Sequence, residues 1–335
     1  MFFHIIILIA SFLSFIIPLL ISVAFFTILE RQVIGSIQRR QGPNIVGFFG
    51  LLQPISDGVK LLLKEIITPK SSNFVIFILS PSFTFVLAIM AWVVLPLWGG
   101  WIAPEFELGL LYLIAISSVS VHSIIMAGWS SNSKYSFLGA LRSAAQMISY
   151  EISMGICILS VITLTGSLNL EDIEICQEKG WFFIPLFPMF IIFFICSLAE
   201  TNRHPFDLPE AEAELVSGYN VEYSSIIFAL FFLAEYSSMI AMCTLNVLLF
   251  FGGGISPFNF NIFFDFINDD LSSEFWWTVK ILFFMILFIV IRVAFPRYRY
   301  DQLMKLGWKV LMPLSFSLLI LEICILISFD KFYFF

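Results

Sequence analysis

Tyr223-Ser-Ser-Ile-Ile-Phe-Ala-Leu-Phe-Phe-Leu-Ala-Glu235-Tyr-Ser-Ser-Met-Ile-Ala-Met-Cys-Thr-Leu-Asn-Val-Leu-Leu-Phe-Phe-Gly252 is the stretch that decides the fold class. A helix needs roughly 20 apolar residues to cross the ~30 Å hydrocarbon core of a bilayer. This run is longer than that and carries one charge, Glu235. A charge at mid-helix costs on the order of 3 kcal/mol, while each Leu, Ile, Phe or Val returns roughly 0.3–0.6 kcal/mol. More than ten such residues lie between Tyr223 and Gly252, so the helix inserts with its Glu aboard. Outward from this run the same pattern repeats. Met1–Leu29, Ser71–Pro104, Leu108–Ser133 and Tyr236–Phe264 contain no Asp, Glu, Lys or Arg. The whole chain is 60% hydrophobic, with a mean hydropathy of +0.98. A β-barrel would show ~10-residue alternating segments. These runs are apolar on all sides, so the expected fold is all-α and polytopic in a membrane.

Eight spans are expected, near Phe2–Leu29, Phe74–Trp98, Leu108–Gly128, Ala144–Leu170, Trp181–Ala199, Tyr223–Gly252, Phe275–Ile291 and Val310–Phe329. With the loop after the first span on a side A, the loops after spans one, three, five and seven share that side. They hold 14 of the 17 Lys and Arg residues; only Lys179, Lys280 and Lys331 fall elsewhere. By the positive-inside rule side A is the cytoplasm or the mitochondrial matrix. Lys280 lies within one turn of Trp276 and Trp277, where it is expected to snorkel beside an interfacial aromatic pair. In the first side-A loop, Val46–Ile67 is largely apolar, with Asp57, Lys60 and Lys64 spaced for one helical face. That spacing predicts an amphipathic helix lying in the interface plane, broken near Pro54. No repeat or linker divides the chain, so residues 1–335 form one domain.

The remaining composition is mostly exclusive. Five cysteines stand no closer than 19 residues apart, with no Cys-x-x-Cys and no Cys/His cluster. No iron–sulfur, zinc or haem site is expected, and the cysteines read as small apolar fillers. His4, His122 and His204 are far apart. The first apolar run lacks a basic segment before it and is too long for a removable leader, so it reads as a retained helix. The 41 phenylalanines exceed any local helical need. A biased base composition, as in a small organelle genome, would account for them.

The chemistry concentrates between spans five and six. Ala199-Glu-Thr-Asn-Arg-His-Pro-Phe-Asp-Leu-Pro-Glu-Ala-Glu-Ala-Glu214 is followed by Glu222, giving six acids in a chain that is 12% charged. Pro205 and Pro209 stop a continuous helix. Asp207-Leu208-Pro209-Glu210 has the form of a capping box, which would place Glu210 and Glu214 on one face with Glu212 off it. Exposed, these acids are a solvated loop. Buried, they are a proton-exchanging cluster, because packed like charges raise carboxyl pKa values by units. Glu151 and Glu235 favour the second reading, since ionisable residues within spans usually line a pathway. Glu322 stands alone in the last span and carries less weight. Glu30-Arg31 and Gln38-Arg39-Arg40-Gln41-Gly42-Pro43-Asn44 are either topology anchors or the rim of a pocket for a polar headgroup. Arg297-Tyr298-Arg299-Tyr300-Asp301 offers the same two readings. Phe231 and Phe232, one turn before Glu235, are either packing groups or the wall of a ligand tunnel.

Several segments together resemble the family of the membrane protein of respiratory complex I called chain 1, which includes its bacterial counterpart. They are Glu30-Arg31 with Gln38 to Asn44; Gly50-Leu-Leu-Gln-Pro-Ile-Ser-Asp-Gly-Val-Lys60; Arg142-Ser-Ala-Ala-Gln-Met-Ile-Ser-Tyr-Glu151; and Ala199 to Arg203. Pro205 to Gly218, Asn220-Val-Glu-Tyr223, Phe231 to Tyr236 and Phe295-Pro-Arg-Tyr-Arg-Tyr-Asp-Gln-Leu303 complete the set. The resemblance implies eight helices and a place at the heel of the membrane arm of a proton-pumping NADH:ubiquinone oxidoreductase. It implies ubiquinone as substrate, reaching a cluster in a neighbouring subunit through a tunnel, and no redox centre or metal in this chain. The implied tunnel positions are Glu30, Arg31, Arg40, Asp57, Phe232 and Glu235. The implied proton path is Glu151, Glu200, Asp207, Glu210, Glu212, Glu214, Glu222 and Glu235. Implied partners are the iron–sulfur quinone-module subunits of the peripheral arm, small membrane subunits beside the antiporter-like ones, and lipid, with no nucleic acid. The expected location is the mitochondrial inner membrane, ahead of a bacterial plasma membrane. His204 receives no role, and the Phe-rich Gly252–Glu274 loop is looser than the family's. Two rival readings are the membrane anchor of a related hydrogenase-type complex without a quinone site, and a purely structural anchor.

Overall fold

The structure, a computed structural model, describes residues 2–95, 106–207, 218–256 and 269–328. Among these residues every regular element is helical. The helices are α1 (Phe2–Ile37), α2 (Gln53–Leu63), α3 (Phe74–Trp92), α4 (Gly109–Ser130), α5 (Lys134–Thr165), α6 (Leu170–Cys176), α7 (Phe187–Glu200), α8 (Ser225–Phe250), α9 (Asp269–Ala294) and α10 (Tyr300–Ser328). Seven of the described helices are long and apolar enough to cross a membrane: α1, α3, α4, α5, α8, α9 and α10. The chain is a polytopic helical membrane protein, as its hydropathy predicts.

Four boundaries differ from expectation, each for a local reason. The fifth span is a helix of only 14 residues, because Pro188 sits in its first turn and the Trp181–Leu186 segment before it is a string of turns. α5 starts ten residues early, where the Ser133 hydroxyl accepts the Ser136 N–H as an N-cap. α2 begins at Gln53 with Pro54 in its first turn, so Pro54 starts this helix and does not break it. Lys64 is then the extended residue after the last turn and leaves the face shared by Asp57 and Lys60. α10 runs from Tyr300 to Ser328, with a wider π turn at Leu306–Leu311.

α5 is the centre of the bundle. α4, α7 and α10 pack on it, while α3 bridges α4 to α8, and α8 in turn meets α9 and α1. Small residues make this close packing possible. A Cβ on Gly139 of α5 would stand 2.8 Å from the Gly218 Cα, inside van der Waals contact. The loops sort to two ends as the charge pattern predicts. At side A, Asn73 N–H donates to Ser130 O at 3.0 Å, Asn132 donates to Ser71 O at 3.1 Å, and the Ser225 hydroxyl donates to Lys64 O at 2.6 Å. The Tyr223 ring stacks on Phe77 at 4.2 Å, and its hydroxyl lies 3.1 Å from Ser80 and 3.2 Å from Ser130. At the opposite end, Leu110 N–H donates to Leu168 O at 3.2 Å, and Gly252 N–H donates to the Gln177 side chain at 2.8 Å.

Candidate functional site

The side-A ends of α1, α8 and α9 meet around one buried guanidinium. Arg203, just past α7, places Nη1 3.7 Å from Glu30 Oε1 and Nε 3.5 Å from Glu235 Oε1. Its guanidinium lies 4.5 Å from the centre of the Tyr236 ring, a cation–π distance. The Tyr236 hydroxyl donates to Glu30 Oε2 at 2.6 Å, and Arg292 of α9 closes on Glu30 Oε1. Glu30 is 6% exposed. A carboxylate that deep requires pairing, because its desolvation costs several kcal/mol. Two cations and a phenol supply it.

The loop carrying Arg203 is held by groups that the sequence scattered widely. Gln146 of α5 donates from Nε2 to Ala199 O and to Phe206 O, both at 2.9 Å. Tyr298 N–H donates to Pro205 O at 3.1 Å, and the Tyr298 ring stacks on Phe206 at 5.6 Å. Asp207 forms an ion pair with Arg297 at 3.1 Å. His204 sits beside Arg297 and Arg292; burial, reinforced by these two cations, pushes its imidazole below the ordinary 6.5.

From Glu235 inward lies a cavity of about 150 Å³ between α3, α4, α5 and α8. Glu235 and Glu200 both line it, with Asn202, Ser117, Ser120 and Ser238. Glu200 is 8% exposed, and its Oε2 lacks a hydrogen-bond partner among the described residues, as does Asn202 Oδ1. Buried acceptors of this kind are satisfied by ordered water or by protonation. Beyond Glu200 comes Glu151, within its electrostatic reach and accepting from the hydroxyls of Ser118 and, at 3.3 Å, Ser117.

Arg203 and the cavity thus bring Glu30, Glu235 and Glu200 together, and Glu151 lies next to them through Ser117, which lines the same cavity. Asp207 stands one loop away, on Arg297. Phe232 is half-buried, between Phe228 at 4.7 Å and Tyr236 at 6.1 Å. Arg31 and Asp57 form a separate ion pair at 2.8 Å that joins α1 to α2 and is about half exposed. Arg40 is exposed in the turn after α1, and no described contact ties it to the cluster. Glu222 is half-buried before Tyr223. Glu210, Glu212 and Glu214, and with them the capping box from Asp207, lie outside the described residues. Sequence reasoning missed Arg203, Tyr236 and Arg292 as members of the site. The Ala199–Arg203 and Phe231–Tyr236 motifs held the first two, but only helix packing shows what they face.

One expectation is overturned. Lys280 does not snorkel beside Trp276 and Trp277; it is 8% exposed. Its ammonium donates to Phe251 O at 2.7 Å, Gly253 O at 2.9 Å and Ile255 O at 2.6 Å, and lies 4.7 Å from the Trp181 ring. The chain turns sharply after α8, leaving the carbonyls of Phe251, Gly253 and Ile255 outside any helical ladder, and the ammonium satisfies all three. Glu174 faces this group and accepts Gly254 N–H at 2.6 Å; burial raises its carboxyl above the ordinary range. Glu322 is also buried, accepting the Thr163 hydroxyl at 3.1 Å.

The family model described as NADH dehydrogenase matches residues 10–323. The chain is 56% identical over 323 residues to NADH-ubiquinone oxidoreductase chain 1 of Chondrus crispus, covering 96% of this chain and 98% of that one. It is 54% identical over 321 residues to the protein of the same name from Arabidopsis thaliana, covering 96% and 97%. It is 52% identical over 326 residues to a bacterial NADH-quinone oxidoreductase subunit, from Paramagnetospirillum magneticum, covering 97% and 94%. With nearly the whole of each relative aligned at more than half identity, the chain belongs to the NADH dehydrogenase family that contains chain 1 and its bacterial counterpart.

Proposed function

We propose that this chain is a membrane-arm subunit of a proton-translocating NADH:quinone oxidoreductase, and that it couples ubiquinone chemistry to proton movement through its buried acids. The observation that carries this reading is the Arg203 bridge between Glu30 and Glu235, opening onto a cavity shared with Glu200. The relatives described above are quinone or ubiquinone oxidoreductase subunits, which favours this reading over a hydrogenase-type anchor. The other subunits of such a complex are its partners. The peripheral-arm iron–sulfur subunits would supply the electrons, and small membrane subunits would receive the coupled change. The mitochondrial inner membrane as its location is part of the same proposal, supported by the Phe-rich composition.

Ubiquinone would approach along the α1, α2 and α8 side. Phe228, Phe232 and Tyr236 follow one another by single turns of α8 and make an apolar ladder suited to an isoprenoid chain. Arg31, Asp57 and Arg40 would stand at its outer rim, and Glu30 and Glu235 at its polar depth. Quinone reduction consumes two protons and alters the charge beside this cluster. Two unit charges 4 Å apart interact by about 4 kcal/mol at an effective dielectric of 20. A change of charge at one of Glu30, Glu235 and Glu200 would therefore be felt by the others. Arg203 makes the response directional: when one of its two carboxylates is neutralised, its pairing shifts to the other. Asp207, Glu210, Glu212, Glu214 and Glu222 would extend the path along the loop between α7 and α8. Coupling also requires a two-state element, and the loop between α7 and α8 is our candidate for it.

The test uses assembled complex in sealed vesicles with Glu200→Gln and Glu235→Gln. NADH:ubiquinone turnover and protons pumped per NADH are measured together. Assembly is retained and pumping falls in both variants. Full stoichiometry in both would remove the pathway, and with it this reading of the acids.

A further inference from the structure

Beneath the ion-pair cluster the bundle is filled by rings. Phe190, Phe193 and Phe194 of α7 pack with Phe250 and Phe251 at the end of α8 and Phe284 of α9. Their centroids stand between 5.1 Å, for Phe251 and Phe284, and 6.1 Å, for Phe190 and Phe284. Most of the contacts are edge-to-face or tilted, the arrangements aromatic pairs prefer. Phe193 and Phe250 are wholly buried, and Phe284 is nearly so. The stack reaches up toward side A through Phe194 and Phe288, 5.4 Å apart, with Phe288 one turn from Arg292.

At its other end the stack is pinned by polar groups. Phe183 N–H donates to Phe250 O at 2.9 Å, and Lys280 holds Phe251 O at 2.7 Å. The Lys280 ammonium has three donors and spends all three on carbonyls. These three bonds anchor the ammonium to the backbone at the end of the stack, with the Glu174 carboxyl facing it. Lys280 and Arg292 lie on the same helix, α9, on opposite sides of the rings. Roughly 18 Å of helix separates them at 1.5 Å per residue. Two charged regions at the two ends of the bundle are thus divided by a buried aromatic layer.

We propose that this layer, pinned at its outer end by Lys280, is a proton seal. It stops water and hydronium from running between the acid cluster and the face opposite side A along α7, α8 and α9. The proposal rests on the proton-translocating reading above, because that reading places exchangeable protons at the inner end of the layer. Its chemistry is exclusion: a water needs two to four polar partners, and the rings offer none.

The test is passive proton conductance of the assembled complex in liposomes, with a pH gradient imposed and no NADH present. The variant pair Phe250→Ser with Phe284→Ser opens space and supplies hydroxyl partners for water. Proton flow through it is several-fold faster than through wild type, while NADH:quinone turnover with uncoupler is unchanged. Phe284→Leu, which refills the space with an apolar group, returns the conductance to the wild-type value. Lys280→Met, which frees the carbonyl of Phe251, gives an intermediate leak. An assembled double variant that leaks no faster than wild type overturns the seal. If the double variant does not assemble, Phe284→Ala alone is judged by the same criterion, and an unchanged leak overturns the proposal there too. The leak is read without turnover, so its outcome is separate from the pumping test. Normal pumping by the Glu→Gln variants would remove the acid pathway without altering the leak measurement.

Discussion

The bundle buries a cation at each end and treats the two differently. Lys280 gives each of its donors to a backbone carbonyl, at 2.6 to 2.9 Å. Those acceptors carry no titratable proton and are held by the backbone, and the acid that faces them, Glu174, is itself held by Gly254 N–H at 2.6 Å. Arg203 is shared among groups that can change: two carboxylates at 3.5 and 3.7 Å, the ring of Tyr236, and the Met239 sulfur at 2.9 Å. Its neighbour Glu30 is itself divided between Arg203, Arg292 and Tyr236. A buried charge fixed by carbonyls is a fastening. A buried charge distributed over titratable partners is a switch whose setting depends on their protonation. The lesson is that burial of a charge does not by itself mark function; the kind of partner does.

The comparison is broken most severely at Arg203. Arg203→Met leaves Glu30 and Glu235 without their common cation, and loss of one partner from a buried ion pair costs about 3–5 kcal/mol. Assembled complex on a native gel falls, and NADH:ubiquinone turnover of whatever assembles falls by at least tenfold, roughly the effect of 1.4 kcal/mol at the reacting site. Lys280→Met, by contrast, leaves turnover per assembled complex at the wild-type level. Equal loss of turnover in both variants would mean that the two ends do not differ in kind.

A smaller change sharpens the contrast within the side-A end. Tyr236→Phe keeps the ring over Arg203 and removes the donor to Glu30, a hydrogen bond to a charged group worth about 1.5–3 kcal/mol. The KM for a short-chain quinone rises several-fold while assembly stays near wild type. An unchanged KM would show that the phenol serves packing alone.

The smallest effect is in pH dependence. The folded state holds the His204 imidazole below its ordinary 6.5, through burial and the nearby Arg297 and Arg292 cations. Below about pH 6.5 the unfolded chain takes up a proton that the folded chain refuses. Stability is therefore complete above that value and declines as the pH falls toward the folded pKa. His204→Gln removes this decline, so thermal unfolding of the complex between about pH 5 and 6.5 becomes flatter. A slope identical to wild type would place the acid sensitivity of the side-A end elsewhere.

Which parts were legible beforehand follows from the range of the forces involved. The apolar runs around Glu235 and the bias of Lys and Arg to alternate loops are written locally, and both reappear in the helices and in the two-ended grouping of loops. Glu30, Glu151, Glu200 and Glu235 stood out because a charge inside an apolar run is costly and visible. Arg292 did not, since an arginine at the end of a span is the ordinary mark of topology. Lys280 was misread for a related reason. Its partners are main-chain carbonyls of Phe251, Gly253 and Ile255, and every residue has a carbonyl, so no letter in the sequence marks those that will be free.

The sequence by itself determined that this chain is a helical membrane protein of known family, which side its basic loops share, and that acids are carried into its interior. Hydropathy and charge act on each segment separately, so they survive the absence of any tertiary contact. Only the tertiary structure decided that Arg203 bridges Glu30 to Glu235, that Glu235 and Glu200 share one cavity, and that a layer of phenylalanines lies between the two buried cations. Those relations depend on the rotation and axial register of helices far apart in the chain, which packing fixes and composition does not.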